Sequence, residues 1–597
     1  MKNTKKLAAM IAALTLSACS IAPMAMTASA AATAGQITFN GATTGTHTYT
    51  AYQIFSGTAD GNGFGGKSKL NNPEWACATE DAATFLAALK TDARFNTTTP
   101  ADEEAGTGES TANDFASCTT AAAVAEVLSG YDSNSTKAKA FADFVVENKE
   151  FFIESAVSEE GIIELADGES TTADGYYVIE ETSLADGGTK TSYLLGVYDA
   201  SEGAEITVKS DMPTFEKKIM DTNDSTGETS DWQDSADYDF NDNVPFQLTA
   251  TLPSNYADYK HYNLVFHDDL QADVFSLNAD SIKVYLVNGT EEAELDSTYW
   301  TKTVHTTPVT DTQFNSGKTD GDEDFNVEIG DLKLVEGVTK DTKIVVRYDA
   351  ELTVKANLGT PGNWNSAYLE YANNPNWTGN GEGTPENPEK PGDEDKSKTQ
   401  EDIVVAFTYQ TIINKVDSKG EALTGATFTL EKEIKGEDGA ESTWVEIAQV
   451  ETESGSEFKF EGLDDGNYRL TETNAPQGYK QLENPITFTV VATHTQDIVT
   501  EGDKEIKTDA VALELISLTG AVTSDNANSV VNLTEGNLMP SVLADGSLTG
   551  DVLNTSGSEL PSTGGIGTTL FYLGGGAMVA VAGVFLITKK RMGKSEN

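Results

Sequence analysis

Cysteine is nearly absent: there are three in 597 residues, and Cys19 lies in the amino-terminal leader, leaving Cys77 and Cys118 to the mature chain. That excludes a disulfide-dense scaffold and allows one internal disulfide, Cys77–Cys118. Basic residues are also scarce, 39 Lys+Arg against 95 Asp+Glu, for a net charge of −56. With no basic patch, duplex nucleic acid is excluded as a partner. The acidity keeps a dense surface protein soluble and self-repelling, and could collect divalent cations. Histidine is limited to His47, His261, His267, His305 and His494, which show no metal-ligand spacing. The acidic stretches Asp221–Asp224 and Asp320–Asp324 lack the glycine and terminal glutamate of a calcium loop and are expected to be solvated turns. No nucleophile elbow, P-loop or dinucleotide fingerprint occurs, so neither a turnover enzyme nor a resident cofactor is expected. The Trp and Tyr residues are assigned to cores and sheets.

What the chain does have is a pair of terminal signals. Lys2, Lys5 and Lys6 precede an apolar run from Leu7, and Ala28-Ser29-Ala30 offers a cleavage site. The mature chain is expected to begin near Ala31. A competing lipoprotein-like box, Leu16-Ser17-Ala18-Cys19, is set aside because attachment is supplied at the other end. There, Leu560-Pro561-Ser562-Thr563-Gly564 is followed by an uncharged apolar segment, 566–588, and by Lys589-Lys590-Arg591. A helix needs about 20 apolar residues to cross a bilayer, and basic residues favour the cytoplasmic side. The three parts together resemble the cell-wall sorting signal of Gram-positive surface proteins. The resemblance implies sortase cleavage between Thr563 and Gly564 and transfer of the Thr563 carbonyl to an amine.

Between the signals the chain reads as mainly β. From Gly35 to about Lys209, strand-like pieces such as 48–55 and 192–197 enclose helix-like pieces at Asp81–Leu89 and Ala121–Leu128, with apolar residues at helical spacing. From about Ser210 to Gln410 and again from Thr411 to Ser556, short alternating strands separated by turn residues predict β-sandwiches. The Asn-, Pro- and Gly-rich stretch Asn373–Asp395 is expected to be an exposed, mobile loop. The expected layout is a signal peptide over 1–30, then domains over 31–209, 210–410 and 411–556, then a sorting signal over 557–597. These blocks are not short-period repeats.

Three strand faces that otherwise look core-facing each carry a polar residue. Because side chains alternate across a sheet, Lys415 shares a face with Ile413, Glu472 with Tyr468 and Leu470, and Asn554 with Val552. The same pattern recurs upstream: Lys217 with Phe215 and Ile219, Asp268 with Leu264 and Phe266, Asn365 with Ala367 and Leu369. On physics alone such residues form buried ion pairs or escape to solvent at strand ends.

The surrounding sequence adds a resemblance. Lys415-Val416-Asp417, Leu423-Thr424-Gly425-Ala426-Thr427-Phe428, Gly466-Asn467-Tyr468, Glu472 and Ala475-Pro476-Gln477-Gly478-Tyr479 follow in order the pattern of the Cna protein B-type domain. The resemblance implies an immunoglobulin-like sandwich with an intramolecular isopeptide bond from Lys415 to Asn554, with Glu472 as the catalytic acid that donates to the Asn carbonyl. Residues 210–410 resemble the fimbrial isopeptide-formation domain of Gram-positive backbone pilins, which implies a Lys217–Asn365 bond assisted by Asp268. Lys218, Asn363, Asn373 and Asp269 remain alternative participants. Backbone pilins usually carry a Tyr-Pro-Lys motif near the first domain junction. Here Val208 precedes Lys209, which keeps only the position of the pilin lysine. The implied function is a structural subunit of a covalently polymerised, peptidoglycan-anchored pilus. Its implied partners are pilin-polymerising and housekeeping sortases, neighbouring subunits, peptidoglycan and host surface ligands. The alternative is a monomeric wall-anchored adhesin built from the same modules.

Overall fold

The computed structural model describes residues 14–17, 19–20, 34–40, 48–61, 67–99, 110–132, 135–152, 154–157, 162–164, 174–183, 188–207, 212–305, 323–436, 440–451, 455–496, 500–501, 504–505, 513–523 and 529–556. Lys209, the Leu560–Gly564 motif and the apolar segment 566–588 lie outside them. Among the described residues no helix is long and apolar enough to cross a membrane.

The amino-terminal part combines two larger sheets and a two-stranded one with helices. Strands β1 (Gln36–Asn40), β2 (Thr48–Asp60), β3 (Lys67–Trp75), β4 (Gly175–Ser183), β5 (Leu194–Tyr198) and β6 (Ala204–Thr207) supply its framework. The larger sheet runs β3-β2-β4-β5, and β1 pairs in parallel with β6 in the smaller one. Two short leader strands, Leu14–Ser17 and Cys19–Ser20, pair with β3 and β5, and the expected signal cleavage would take both away. Helices α1 (Thr79–Leu89) and α2 (Ala121–Leu128) lie where the apolar periodicity predicts them. The sequence reading did not single out α3 (Thr136–Glu147), because its buried face mixes small alanines with Asp143 and so weakens the apolar period. Thr120 and Ser135 cap α2 and α3 by accepting from the N–H groups of Ala123 and Ala138. Phe85, Val124, Phe141 and Val145 from these helices share one core with Phe55, Val178 and Val197 from the sheet. Cys77 and Cys118 are both free thiols, so the disulfide that the sequence allowed is absent.

The middle part is a two-sheet sandwich. One sheet orders β7 (Phe215–Ile219), β9 (Asn243–Ala250), β13 (Lys343–Leu352) and β11 (Phe275–Asn288); the other orders β8 (Ser235–Asp237), β15 (Asp402–Phe407), β14 (Asn363–Ala372), β10 (Leu264–Leu270) and β12 (Phe325–Ile329). Alternation drives this packing. In β9 the even-numbered residues from Val244 to Ala250 are buried and the odd-numbered ones are half-buried or exposed. Residues 373–395 are not a loose loop. The Asn376 side chain accepts from the Tyr193 N–H at 3.0 Å and donates to the Thr191 carbonyl at 2.8 Å. Lys190 N–H donates to the Asn373 carbonyl at 2.7 Å, and the Lys190 ammonium pairs with Asp395 at 3.0 Å. Buried amides thus pin a stretch whose composition suggested mobility.

The last part is again a sandwich. Strands β16 (Tyr409–Val416), β19 (Glu457–Leu463) and β23 (Ser547–Leu553) form one sheet in the order β19-β16-β23. The other contains β18 (Thr443–Glu451), β17 (Thr427–Ile434), β20 (Gly466–Asn474), β21 (Ile486–His494) and β22 (Leu515–Val522), in that order. The first and last strands, β16 and β23, run parallel with Lys415 opposite Val552. Only buried Thr408 separates β15 from β16, so the middle sandwich continues directly into the last. Gly462 faces Phe240 across this junction at φ +76°, where a Cβ would stand 2.0 Å from the ring. Asp221 and Asp224 also turn into the junction and are half-buried; Asp224 pairs with Lys432 of the last sandwich at 2.9 Å while its side chain stays 34% exposed, so the turn is only in part the solvated one expected.

Candidate functional site

Two buried polar constellations stand out, one in each sandwich. In the middle one, β7 carries Lys217, β10 carries Asp268, β13 carries Tyr348 and β14 carries Asn365, and all four are essentially inaccessible to solvent. The Lys217 Nζ lies 2.5 Å from Asp268 Oδ2 and 2.9 Å from the Tyr348 hydroxyl. That hydroxyl lies 2.8 Å from both Asp268 oxygens and accepts from Asn365 Nδ2 at 2.7 Å. The rings of Phe246 and Tyr348 flank the ammonium at 5.3 and 5.4 Å. Each strand contributes its residue from the core-facing register, which is why one lysine, one acid and one amide converge although they are far apart in sequence.

The neighbouring alternatives point elsewhere. Lys218 pairs with Asp234 at 3.0 Å and Glu216 at 3.2 Å on the opposite face of β7. Asn363 donates to the carbonyls of Asn357 and Ala406, and Asn373 donates to Ser397. Asp269 pairs in register with Ser366 on β14, one position off the Asp268 face. Tyr348 is the participant the sequence reading missed. Its place in an alternating strand marked it only as core.

In the last sandwich Lys415, Glu472 and Asn554 meet at the end of the β16–β23 pair. Lys415 is fully buried, donates to the Val552 carbonyl at 2.8 Å and lies 3.8 Å from Glu472 Oε1. Burial pushes its ammonium down to about 8 from the usual 10.5, with nearby Glu472 pulling the other way. Asn554 Nδ2 donates to Glu472 Oε2 at 3.0 Å and to the Lys480 carbonyl at 2.7 Å. The Leu482 N–H also donates to Glu472 Oε2, at 2.8 Å, which fixes the carboxyl. Glu472 Oε1 and Asn554 Oδ1 are buried without a hydrogen-bond partner. The carboxyl therefore sits against the amide nitrogen and not the amide oxygen. That differs from the expected role of Glu472 as donor to the Asn carbonyl and puts it beside the group that would leave.

Comparisons with known proteins agree with this architecture. Residues 410–504 match the SpaA family, a prealbumin-like fold domain, and residues 553–592 match the LPXTG cell wall anchor motif. The chain is 25% identical over 470 residues to the trypsin-resistant surface T6 protein of Streptococcus pyogenes serotype M6, covering 70% of this chain and 79% of that one. Among solved structures it is similar to the T6 backbone pilin of serotype M6 Streptococcus pyogenes, with 18% identity, a TM-score of 0.46, and 88% of this chain and 98% of that one covered. It is also similar to the full-length major pilin SpaD from Corynebacterium diphtheriae, with 16% identity, a TM-score of 0.39 and the same coverages, 88% and 98%. The anchor match over the sorting signal and the prealbumin-like match over the last sandwich define a sortase-processed, cell-wall-anchored surface protein. Within that class the chain is similar over 470 residues to the T6 surface protein.

Proposed function

We propose that the chain is polymerised head to tail through Thr563 and Lys209, and that its two sandwiches cross-link themselves before they bear load. The observation that carries the reading is the pair of buried Lys–acid–amide constellations, at Lys415/Glu472/Asn554 and Lys217/Asp268/Asn365. A buried charge without compensation is costly. Converting an amine and an amide into one neutral amide removes the problem.

In the last sandwich the neutral Lys415 amine attacks Asn554 Cγ. The Nζ–Cγ bond forms and the Cγ–Nδ2 bond breaks. Glu472 takes a proton from the attacking nitrogen and returns one to Nδ2, which leaves as ammonia. The distances of Oε1 from Nζ and of Oε2 from Nδ2, 3.8 and 3.0 Å, suit such a shuttle. In the middle sandwich Asp268 receives the Lys217 proton, and Tyr348 relays one to Asn365 Nδ2. The reaction turns over once per site and needs no cofactor.

The mechanical consequence follows from the strand order. Tension applied at Thr563 enters at Asn554, crosses to Lys415 and passes back through β16 and β15 toward Asn365. From Asn365 it crosses to Lys217, close to Lys209. Most of each sandwich lies off this covalent path. The two loops so closed, 217–365 and 415–554, each restrain the unfolded chain by about 5 kcal/mol on the loop-closure model used for disulfides.

On this reading the domains run over 31–209, 210–410 and 411–556, a pilin-specific sortase joins subunits, and a housekeeping sortase attaches the last one to peptidoglycan. The test is intact mass followed by tandem mass spectrometry of linked peptides. The expected mass is lower by one ammonia per bond, with Lys415–Asn554 and Lys217–Asn365 peptides recovered. A full, uncorrected mass in folded protein would refute both bonds. Absence of a high-molecular-weight ladder in the producing cell would instead favour the monomeric adhesin.

A further inference from the structure

At the junction of the two sandwiches lie two adjacent acidic clusters, and they differ in one respect. In the first, Asp224 and Asp239 from the middle sandwich and Asp464 from the last surround the Lys432 ammonium at 2.9, 2.8 and 2.5 Å. Lys432 is itself fully buried, so this cluster contains its own cation. In the second, one oxygen each of Asp221 and Asp237 and one ring nitrogen of His494 all lie within 4.8 Å of one another. Asp237 is 2% exposed, and its Oδ2, like Asp221 Oδ1, is buried with no hydrogen-bond partner. No lysine or arginine pairs with either aspartate among the described residues.

The histidine is prepared in a specific way. The Ser235 hydroxyl lies 2.6 Å from His494 Nδ1 and donates to the Thr495 carbonyl at 2.7 Å, and Gln496 Nε2 lies 3.4 Å from the same ring nitrogen. With Nδ1 engaged in these contacts, Nε2 is the ring nitrogen left to ligate. Asp465, held by Asn223 at 2.7 Å, is the next carboxylate.

We propose that Asp221, Asp237 and His494 bind a divalent transition-metal ion of the zinc class at this junction. Asp465 or water completes the coordination, and the ion fastens the middle sandwich to the last. A mixed imidazole–carboxylate set suits zinc and its neighbours, whereas calcium takes six to eight oxygens. The site has a mechanical use. The covalent path runs through Thr408 at this junction, and the ion would hold the two sandwiches in line beside it.

The test is titration of the full chain, stripped with chelator and then exchanged into chelator-free buffer, with zinc chloride by calorimetry. Bound metal is counted by elemental analysis. One equivalent is expected. Asp237→Asn and His494→Gln should each weaken binding by at least about tenfold. Asp224→Asn, in the lysine-filled cluster, should leave it unchanged. Circular dichroism checks folding, and if Asp237→Asn fails to fold, His494→Gln carries the comparison. Absence of saturable zinc binding would overturn the proposal, as would wild-type affinity in His494→Gln or a preference for calcium chloride over zinc chloride.

Discussion

Replacing Glu472 by Gln keeps the side-chain volume but removes the group able to carry a proton from Lys415 Nζ to Asn554 Nδ2. The loop left open spans most of the last sandwich, and its closure contributes about 5 kcal/mol. For a module of this size each kcal/mol moves the melting temperature by about 2–4 °C, so its transition should fall by about 10–20 °C. The Lys415 amine also stays buried without its carboxylate, which makes that shift a lower bound. Two measurements on one sample decide the matter. Intact mass should show Glu472→Gln heavier than wild type by one ammonia, apart from the substitution itself. Differential scanning calorimetry should show the lowered transition. A variant that still forms the Lys415–Asn554 peptide would refute the shuttle. An unlinked variant that melts with the wild type would refute the claim that the bond stabilises the module.

Three further outcomes are expected. Because Lys415 loses its proton near pH 8 in the folded chain, the rate of bond formation after refolding should rise about tenfold per pH unit below that value and level off above it; timed mass spectra across pH 6–9 check this. The sign for stability agrees: the unfolded chain keeps this proton up to 10.5, so the unlinked precursor gains stability as pH rises from about 8 toward 10.5 and loses it as pH falls through the folded value. Tyr348→Phe should slow the middle bond by about a hundredfold while leaving the Lys415–Asn554 bond at the wild-type rate, read from linked peptides over time. Lys209→Ala should abolish the high-molecular-weight ladder in the producing cell while leaving both internal bonds intact, and an unchanged ladder would show that another lysine is the acceptor.

The extent to which the sequence could be read depended on the range of the interaction. Strand alternation placed Lys217, Asp268, Asn365, Lys415, Glu472 and Asn554 on core-facing registers, because side-chain direction in a strand is a local property with period two. The amphipathic helices at 79–89 and 121–128 were visible because their apolar residues recur at local, helical spacing. Terminal signals are linear by nature, so the leader and the Leu560–Gly564 motif needed no fold to be recognised.

Tertiary structure decided the rest. It set Lys217 beside Asp268 and Lys218 beside Asp234, on opposite, covered sides of β7. It brought Tyr348 between lysine, acid and amide, a role no neighbour in sequence announces. It placed Glu472 against the amide nitrogen of Asn554. It left Cys77 and Cys118 unpaired, and it pinned residues 373–395 through Asn376, since burial of an amide depends on what packs over it. The acidic turn at Asp221–Asp224 shows the division most sharply. Read along the chain it is a charged turn suited to water. Folded, it meets Lys432, His494 and Asp464 from the other sandwich, and its charge becomes part of what joins the two. Local periodicity determines which side of a strand is buried; only the packing of distant strands determines what is buried against it.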